Sequence, residues 1–468
     1  MGFKRKPITR RSFLGQASCA AVSATPILST LLNLRMTSTA VAASADPEDY
    51  KALVCFFFGG GNDSFNMLVP KGASEYAEYA TARSNQSLSQ DSLLQLNGSH
   101  NGKTLGLHPG MPELQSLYNA NPSRLAFVCN VGTLVEPTTL QAYENGSVKL
   151  PSGLFSHSDQ IMQWQTSIPN QNTGIGWGGR VADLLSPCNV GSNISMNISL
   201  SGTNTFQSGA SSISYEIESS GNGSIALAPY GDNFEPTLST LGATAINSLM
   251  DAQYSNLFQQ AFARKHRTSL DASAEFGNAI QAQSFSTIFS PSEISQSFQM
   301  VAKTISARKL LNMKRQTFFI FFGGFDHHDE LLNSHGAMLP VISKAMSEFD
   351  TAMTELGLSD KVTTFTASDF ARTLSSNGKG TDHAWGSNQM VMGGAVRGGQ
   401  IYGTYPDLAL GNSLDTGRGR LIPTMSTDQY FAELARWFGV ADSDLGMVFP
   451  NLNRFHNIGS GAPVGFMA

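Results

Sequence analysis

Aspartate side chains follow apolar runs at three places in the sequence, and histidines accompany two of these places. An Asp beside a His offers the oxygen and nitrogen donors that suit Zn²⁺, Mn²⁺ or Fe. Carboxylates that lie close together repel one another unless a metal or an arginine balances them, and Arg372 is the nearest arginine in the sequence. The candidate metal ligands are Asp63, Asp326, His328, Asp369, Asp382 and His383.

The three places differ in how specifically they indicate a metal. Asp326 and His328 lie in Gly-Gly-Phe-Asp-His-His-Asp, the strongest local pattern, for which a solvated polar turn is the alternative. Asp63 follows three glycines that lack the Gly-Lys-Ser/Thr of a phosphate-binding P-loop. We therefore interpret Asp63 as a ligand or as a polar anchor.

Four apolar runs predict the strands that position these side chains. Each run is short, continuously apolar and followed within a few residues by Gly, Asn, Asp or Ser, as in buried parallel strands. The carboxyl ends of parallel strands meet at one edge of a sheet, so Asp63, Asp326 and Asp369 are expected to converge there. The runs are Ala52 to Phe58, Leu125 to Cys129, Thr317 to Phe322 and Val362 to Thr366.

Apolar residues that recur every three or four positions predict helices between the strands. One helix should end at Gly357, and another should begin with a capping box of Ser426 and Gln429 and end at Gly439. Strands that alternate with helices indicate an α/β fold. A stretch rich in Ser, Asn and Gly from about 186 to 236 predicts a β-rich or loop-rich insertion that leads into helices.

The N-terminal residues have the charged, apolar and small-residue regions of an export signal. Arg10 and Arg11 precede Phe13 and Leu14 in a pattern that resembles a twin-arginine motif. We expect residues 1–45 to be a signal peptide that engages the twin-arginine translocase, and the protein to be periplasmic or secreted. No later segment of the sequence is long and apolar enough to predict a membrane span.

Charge and cysteine content exclude some functions. The net charge is -5 and 14% of the residues are charged, so the chain lacks the basic field that nucleic-acid binding requires. Cys55, Cys129 and Cys188, which lie outside the signal segment, are odd in number and lack metal-ligand spacing. Packing is the default interpretation, although an oxidising compartment would permit one disulfide bond.

Several motifs, taken in order, resemble the domain-of-unknown-function family 1501. The resemblance implies that residues 46–468 form a single alkaline-phosphatase-like domain, with a mostly parallel sheet flanked by helices and an insertion at about 186–300. Sulfatases and phosphoglycerate mutases share that fold. The motifs are Gly-Gly-Asn-Asp63, Leu107-His108-Pro109-Gly110, Phe155 to Gln160 with Trp164-Gln165, Gly324 to His328, Ser368 to Thr373 and Thr381 to Gly386.

The resemblance also implies a site for one or two divalent cations, Zn²⁺ or Mn²⁺, at the carboxyl ends of the strands. Asp369 departs from the superfamily pattern because Phe370 follows it where a His is expected, and His383 could supply that imidazole. The residues that match the ligand positions in order are Asp63, Asp326 with His328, and Asp382 with His383.

The superfamily nucleophile lies at a helix start between the first and second ligand groups. Ser156 and Ser158 match that place, with His157 between them, and Ser64 is the alternative. The Cys/Ser-x-Pro-x-Arg activation motif of sulfatases is not visible in the sequence, which disfavours a formylglycine sulfatase.

The resulting expectation is an exported, metal-dependent hydrolase of phosphate or sulfate esters. Ser156, Ser158 and His157 would be catalytic, and Arg372 would pair with the anionic group of a small ester or glycan substrate. The alternative is a non-catalytic envelope or secreted binding protein that keeps the same fold.

Overall fold

A nine-stranded sheet forms the centre of the protein. The computed structural model describes residues 49–225 and 236–468, so the expected signal peptide at residues 1–45 lies outside the described residues. In chain order, strands β1 to β12 are Lys51–Gly59, Leu68–Pro70, Leu94–Gln95, Leu105–Leu107, Leu125–Gly132, Asn197–Ser199, Tyr215–Glu216, Arg315–Gly323, Val362–Ser368, Ser387–Met392, Ile401–Tyr402 and Met425–Ser426.

The main sheet is mostly parallel. Its order is β11-β5-β10-β9-β1-β8-β6-β7, and β12 pairs with β5 beside β11. β10 runs antiparallel to both β5 and β9, and the other pairings in this sheet are parallel. β2, β4 and β3 form a separate small antiparallel sheet. The expected α/β fold with a mostly parallel sheet is confirmed.

Apolar side chains cover both faces of the central strand β1. Val54, Phe56 and Phe58 belong to one buried cluster, whereas Leu53 and Phe57 belong to another on the opposite face. Successive side chains of a strand point to opposite faces, so a continuous apolar run supplies two cores at once. This explains why β1 has an unbroken apolar sequence.

Helices cover the two faces. The helices at 293–306 and 331–355 pack in the first cluster, and those at 177–185 and 427–438 pack in the second. In chain order, helices α1 to α12 are Ser64–Met67, Ala73–Arg83, Pro112–Asn119, Leu140–Glu144, His157–Thr166, Trp177–Leu185, Pro236–Asp251, Leu257–Gln281, Glu293–Ser306, Leu331–Glu355, Thr427–Phe438 and Leu445–Val448.

The expected elements occur with longer boundaries. All four predicted strands are present as β1, β5, β8 and β9. The capping box of Ser426 and Gln429 begins α11, which ends at Gly439 as expected. The segment at about 186–300 adds β6 and β7 to the main sheet and contains α7, α8 and most of α9. Its description as an insertion, and the assignment of residues 46–468 to a single domain, remain predictions.

Among the described residues, no helix has the length and apolarity needed to cross a bilayer.

Candidate metal centre

The sheet brings two of the candidate carboxylates to the same edge. β8 and β9 lie on either side of β1, and Asp326 and Asp369 follow their carboxyl ends. The loop after β1 joins this arrangement, because the Gly60 N–H donates to both carboxylate oxygens of Asp369 at 3.1 and 3.2 Å. The expected convergence of strand ends is therefore present for these two residues.

Two glycines of the loop after β1 allow this close packing. Gly60 has a φ of 116°, and a Cβ there would lie 2.5 Å from the backbone nitrogen of Asp326. Gly61 has a φ of 83°, and a Cβ there would lie 2.5 Å from the Phe370 ring. Glycine accepts these φ values without the steric cost of a side chain. The glycine run thus serves the approach of neighbouring loops.

His157, Asp326 and His383 form a group that could hold a metal ion. His157 Nε2 lies 3.4 Å from Asp326 Oδ2, and His383 Nε2 lies 3.3 Å from Asp326 Oδ1. One ligand atom from each residue lies within 4.8 Å of the other two. All three side chains are partly exposed, although the His157 Nε2 atom itself is buried.

His328 lies beside this group. Its Nε2 is 3.0 Å from His383 Nε2 and 3.1 Å from Asp326 Oδ1. Two unprotonated imidazole nitrogens repel at this distance unless a proton or a cation lies between them. His328 is therefore placed to act as a fourth donor.

The Nδ1 atoms of the three imidazoles face hydrogen-bond acceptors. An ionised carboxylate or a carbonyl oxygen can only accept, so it holds the ring proton on Nδ1 and leaves Nε2 as an electron-pair donor. Metal-binding histidines in proteins are oriented in this way. The pairs are His157 Nδ1 with Asp369 Oδ2 at 2.6 Å, His328 Nδ1 with Asp382 Oδ1 at 3.0 Å, and His383 Nδ1 with the Phe155 carbonyl at 2.8 Å.

The environment of His157 Nε2 tests whether a metal fits. This atom is buried and has no hydrogen-bond partner among the residues that the structure describes. A buried electron pair without a partner is unfavourable, and a cation between His157 and Asp326 would satisfy it. Imidazoles with a carboxylate are a donor set that suits Zn²⁺ or Mn²⁺. The residues therefore fit a divalent transition metal.

Phe370 supports two of the imidazoles. Its buried ring lies 4.8 Å from the His157 ring and 4.6 Å from the His383 ring, centroid to centroid. Contacts of this kind restrict the ring orientations. The Phe that replaces the expected His after Asp369 thus holds the imidazoles instead of supplying one.

The backbone at Phe155 also contributes to the centre. Phe155 has a φ of 70°, which is unfavourable for a bulky residue, and its carbonyl accepts the hydrogen bond from His383. The Gln160 side chain accepts from the Phe155 N–H at 3.0 Å and donates to Thr133 at 3.1 Å. Gln160 therefore holds this loop in place.

Two carboxylates of the centre are paired with arginines. Arg372 Nη1 donates to Asp326 Oδ1 at 2.7 Å, and Arg418 Nη1 lies 2.6 Å from Asp382 Oδ2. Burial raises the pKa of Asp326, but the hydrogen bond and the charge of Arg372 outweigh it and keep that pKa below its ordinary value. Asp326 is therefore ionised at neutral pH.

The imidazoles differ in how readily they are protonated. The hydrogen bond to Asp369 raises the pKa of His157 above its ordinary value. Burial lowers the pKa of His383, although its hydrogen bond to the Phe155 carbonyl acts in the opposite direction. At neutral pH, the His383 ring is therefore mostly unprotonated and ready to bind a metal. The His157 ring is protonated in a larger share of molecules and must lose that proton before it can bind.

Asp63 lies outside the group of His157, Asp326 and His383. Its carboxylate forms an ion pair with Arg83, and both side chains are completely buried. Arg83 also donates to the Thr373 carbonyl at 2.9 Å. This pairing supports the interpretation of Asp63 as a polar anchor, and its role as a ligand remains a prediction.

The candidate nucleophiles lie at the start of α5, whose first residue is His157. Ser156 is the N-cap of this helix, and its hydroxyl lies 3.2 Å from the hydroxyl of Ser158. Arg372 is completely buried and its guanidinium contacts Asp326 and the Thr381 carbonyl. The structure thus brings both serines beside a metal-group residue and ties Arg372 to Asp326.

A family comparison covers most of the chain. Residues 50–443 match the family described as "Protein of unknown function (DUF1501)". The chain belongs to this family. Comparison with curated proteins gives no match.

Three solved structures that are similar to this member of the DUF1501 family share 9–10% sequence identity with it. Their TM-scores of 0.32 to 0.35 support no conclusion about activity or substrate. They are Ps i-CgsB in complex with k-i-k-neocarrahexaose (9% identity, 86% of this chain, 76% of that chain, TM-score 0.34), the lipoteichoic acid synthase LtaP from Listeria monocytogenes (9%, 87%, 78%, 0.32), and the PsFucS1 sulfatase from Pseudoalteromonas sp. (10%, 88%, 72%, 0.35).

Three contributors to the site were not anticipated from the sequence. Arg83 and Arg418 are far from their carboxylate partners in the chain, and isolated arginines have no distinctive pattern. Phe155 acts through its backbone carbonyl, which leaves no side-chain signal. The position of His157 between two serines was noticed, but its pairing with Asp369 required the fold.

Proposed function

We propose that the protein is a metal-dependent hydrolase of phosphate or sulfate esters. The observation that carries the proposal is the convergence of the Nε2 atoms of His157 and His383 on the Asp326 carboxylate, with their Nδ1 atoms tied to acceptors. Such preorganised nitrogen and oxygen donors are what a hydrolytic metal site needs. When bound, a divalent cation supplies positive charge that stabilises the attacking and leaving oxygens of an ester.

In this proposal, the ligands are His157, Asp326, His383 and His328. Asp369 keeps the proton of His157 on Nδ1, and Phe370 restricts the ring. Asp369 and Asp382, which the sequence suggests as ligands, have a different role in this proposal: each carboxylate orients an imidazole. Arg372 positions Asp326 and lowers its pKa.

The reacting hydroxyl in this proposal belongs to Ser156 or Ser158. Both lie at the N-terminus of α5, where free backbone N–H groups favour an anionic ester. Arg418 pairs with Asp382 and its side chain is 44% exposed, whereas Arg372, expected from the sequence to contact the anionic group, is completely buried against Asp326. We therefore propose that Arg418 contacts the anionic group of the ester. The proposed substrates are small anionic esters or glycan esters.

A second candidate function is binding without catalysis. The pairing of Asp326 with Arg372 and of Asp382 with Arg418 balances these carboxylates without any cation. A chain that relied on these ion pairs alone would keep its fold and present the same exposed surface to an envelope component or a glycan. Metal content separates the two candidates.

The test compares the purified wild-type protein with Asp326→Asn. We expect stoichiometric Zn²⁺ or Mn²⁺ in the wild type by elemental mass spectrometry, a rise in its melting temperature on metal addition, and the loss of both in the variant. Asp329→Asn is the matched control, because Asp329 is exposed and paired only with Lys379 in the ion pairs described. Arylphosphates and arylsulfates then measure turnover.

Two outcomes would contradict the hydrolase. A wild-type protein without bound metal and without thermal stabilisation by Zn²⁺ or Mn²⁺ would favour the binding protein. Metal-dependent turnover that Asp326→Asn leaves unchanged would place the active site elsewhere.

A further inference from the structure

Two consecutive helices, α7 and α8, present exposed apolar side chains near their connection. Leu257, Phe258 and Phe262, in the first two turns of α8, are 75%, 88% and 75% exposed. Leu249, near the end of α7, is 62% exposed. Large apolar side chains grouped at such exposure mark an interaction site more often than isolated ones do. We call Leu249, Leu257, Phe258 and Phe262 the apolar tip.

Basic residues follow the apolar tip along α8. Residues 257–270 contain Arg264, Lys265 and Arg267 and have no acidic residue, although the whole chain has a net charge of -5. Arg267 forms an ion pair with Asp251 at 2.7 Å, which ties α8 to the end of α7. Arg264 and Lys265 are exposed. The segment 257–270 is therefore basic, with Arg264 and Lys265 as its exposed unpaired charges in the ion pairs described, and Asp271 follows it.

The helical repeat places the two kinds of side chain on the same surface. Phe258, Phe262 and Lys265 follow one another at intervals of four and three residues, so they line one face of α8. Leu257 and Arg264 are seven residues apart and share an adjacent face. On the opposite side of α8, Ala263 is buried and Arg267 pairs with Asp251 of α7. Along this face of α8, apolar side chains are therefore followed by basic side chains.

We propose that the apolar tip and the basic residues behind it bind an anionic membrane surface. Phe and Leu side chains gain free energy when they enter the boundary between headgroups and acyl chains, and Arg and Lys behind them reach the lipid phosphates. The charge of Arg264 and Lys265 complements anionic headgroups, which is the reason for choosing a membrane over a protein partner. This proposal does not depend on the metal centre.

A tryptophan at the apolar tip reports on membrane insertion. Phe258→Trp in the full chain is mixed with vesicles of phosphatidylcholine that contain phosphatidylglycerol and brominated lipid. Bromine on the acyl chains quenches only a tryptophan at membrane depth. Trp164, Trp177 and Trp385 are buried in the protein and Trp437 is partly buried, so the unsubstituted wild type measures the background from these four. We expect quenching with these vesicles and little with vesicles that lack phosphatidylglycerol.

Charge and apolar variants in the same Phe258→Trp background measure each contribution. Arg264→Gln with Lys265→Gln should lower partitioning by about fivefold for each charge removed. Lys149→Gln with Lys344→Gln removes the same charge from exposed positions elsewhere and should change little. Leu257→Ser with Phe262→Ser should abolish quenching. The N-terminal segment is identical in all variants, so it cannot produce these differences.

Three results would overturn the proposal. They are an unquenched tryptophan at position 258, equal binding to anionic and neutral vesicles, and equal effects of the two pairs of charge substitutions. Light scattering provides a further outcome: a wild-type dimer that Leu257→Ser with Phe262→Ser dissociates would identify a second copy of the chain as the occupant.

Discussion

Some side chains of the candidate metal centre are placed to bind a metal ion, and others orient the imidazoles that would bind it. Asp326 presents two carboxylate oxygens to three imidazole nitrogens, and Arg372 holds it ionised. Asp369 contacts His157 and the Gly60 N–H. Its role is therefore exerted through the imidazole. Removing an orienting carboxylate commonly weakens metal binding without abolishing it.

Asp369→Asn should therefore lower the affinity for Zn²⁺ by roughly 10- to 100-fold. The same hydrogen bond raises the pKa of His157, so protons compete with the metal at higher pH in the wild type. In the variant, the affinity should begin to fall only at lower pH. Competition with a chelating dye across a pH series measures both effects, with Asp329→Asn as the control. An unchanged affinity and pH midpoint would show that Asp369 does not act through His157.

At the residue scale, the sequence suggests candidate ligands where the chemistry is carried by side-chain type, and their role as metal ligands stays a prediction. Asp326, His328 and His383 were selected as ligands, and the fold brings them within contact distance. Phe370 was noted only as a departure from a pattern, because its role depends on two rings that come from distant parts of the chain. Tertiary contacts of this kind leave no local periodicity.

At the scale of elements, continuous apolar runs predict the central strands. Short or polar strands are not predicted by such runs. β6 and β7 lie in the stretch expected to be β-rich or loop-rich, but β10 begins with Ser387 and Asn388, and β11 and β12 have only two residues each. Such segments have no period to detect. The helix Thr427–Phe438 was the converse case, since its capping box and terminal glycine define both ends.

That helix also contains an unfavourable group. Asp428, at its second position, is completely buried beside Arg180, whose charge partly compensates. Burial raises the pKa of Asp428 from 3.8 to about 7. Because the folded-state pKa is above the unfolded-state value, this carboxyl favours folding least where it is ionised. The contribution of this carboxyl to the stability of the folded protein should fall as the pH rises from about 4 to 7, with no further loss from this group above that.

Asp428→Asn should therefore stabilise the folded protein at pH 8 by roughly 2 to 4 kcal/mol, because the neutral amide avoids the cost of a buried charge. The difference should shrink as the pH falls and vanish below about pH 4. Urea unfolding of both proteins at several pH values measures it, and Asp329→Asn, at an exposed position, should show no such trend. Equal stabilities at pH 8 would mean that the carboxyl is solvated.

At the scale of the whole molecule, the candidate centre exists only in the folded chain. His157, Asp326 and His383 are more than 50 residues apart in the sequence, and β1, β8 and β9 must pair before their loops meet. A metal that binds such a site binds the folded state and stabilises it. The twin-arginine pathway exports folded proteins, so a chain with this signal could acquire its metal before it crosses the membrane. Export by that route remains a proposal.

Replacing the arginine pair tests the route while keeping the charge. Arg10→Lys with Arg11→Lys should leave the protein inside the cells, since the translocase reads guanidinium groups that an ammonium does not replace. Cell fractionation followed by immunoblotting measures the distribution, and Lys4→Arg with Lys6→Arg is the matched control that should be exported normally. Export of the lysine variant at the wild-type level would exclude the pathway. Asp326→Asn adds a second readout: if it folds but carries no metal, we expect its export to persist, because the pathway requires a folded chain and not a loaded site.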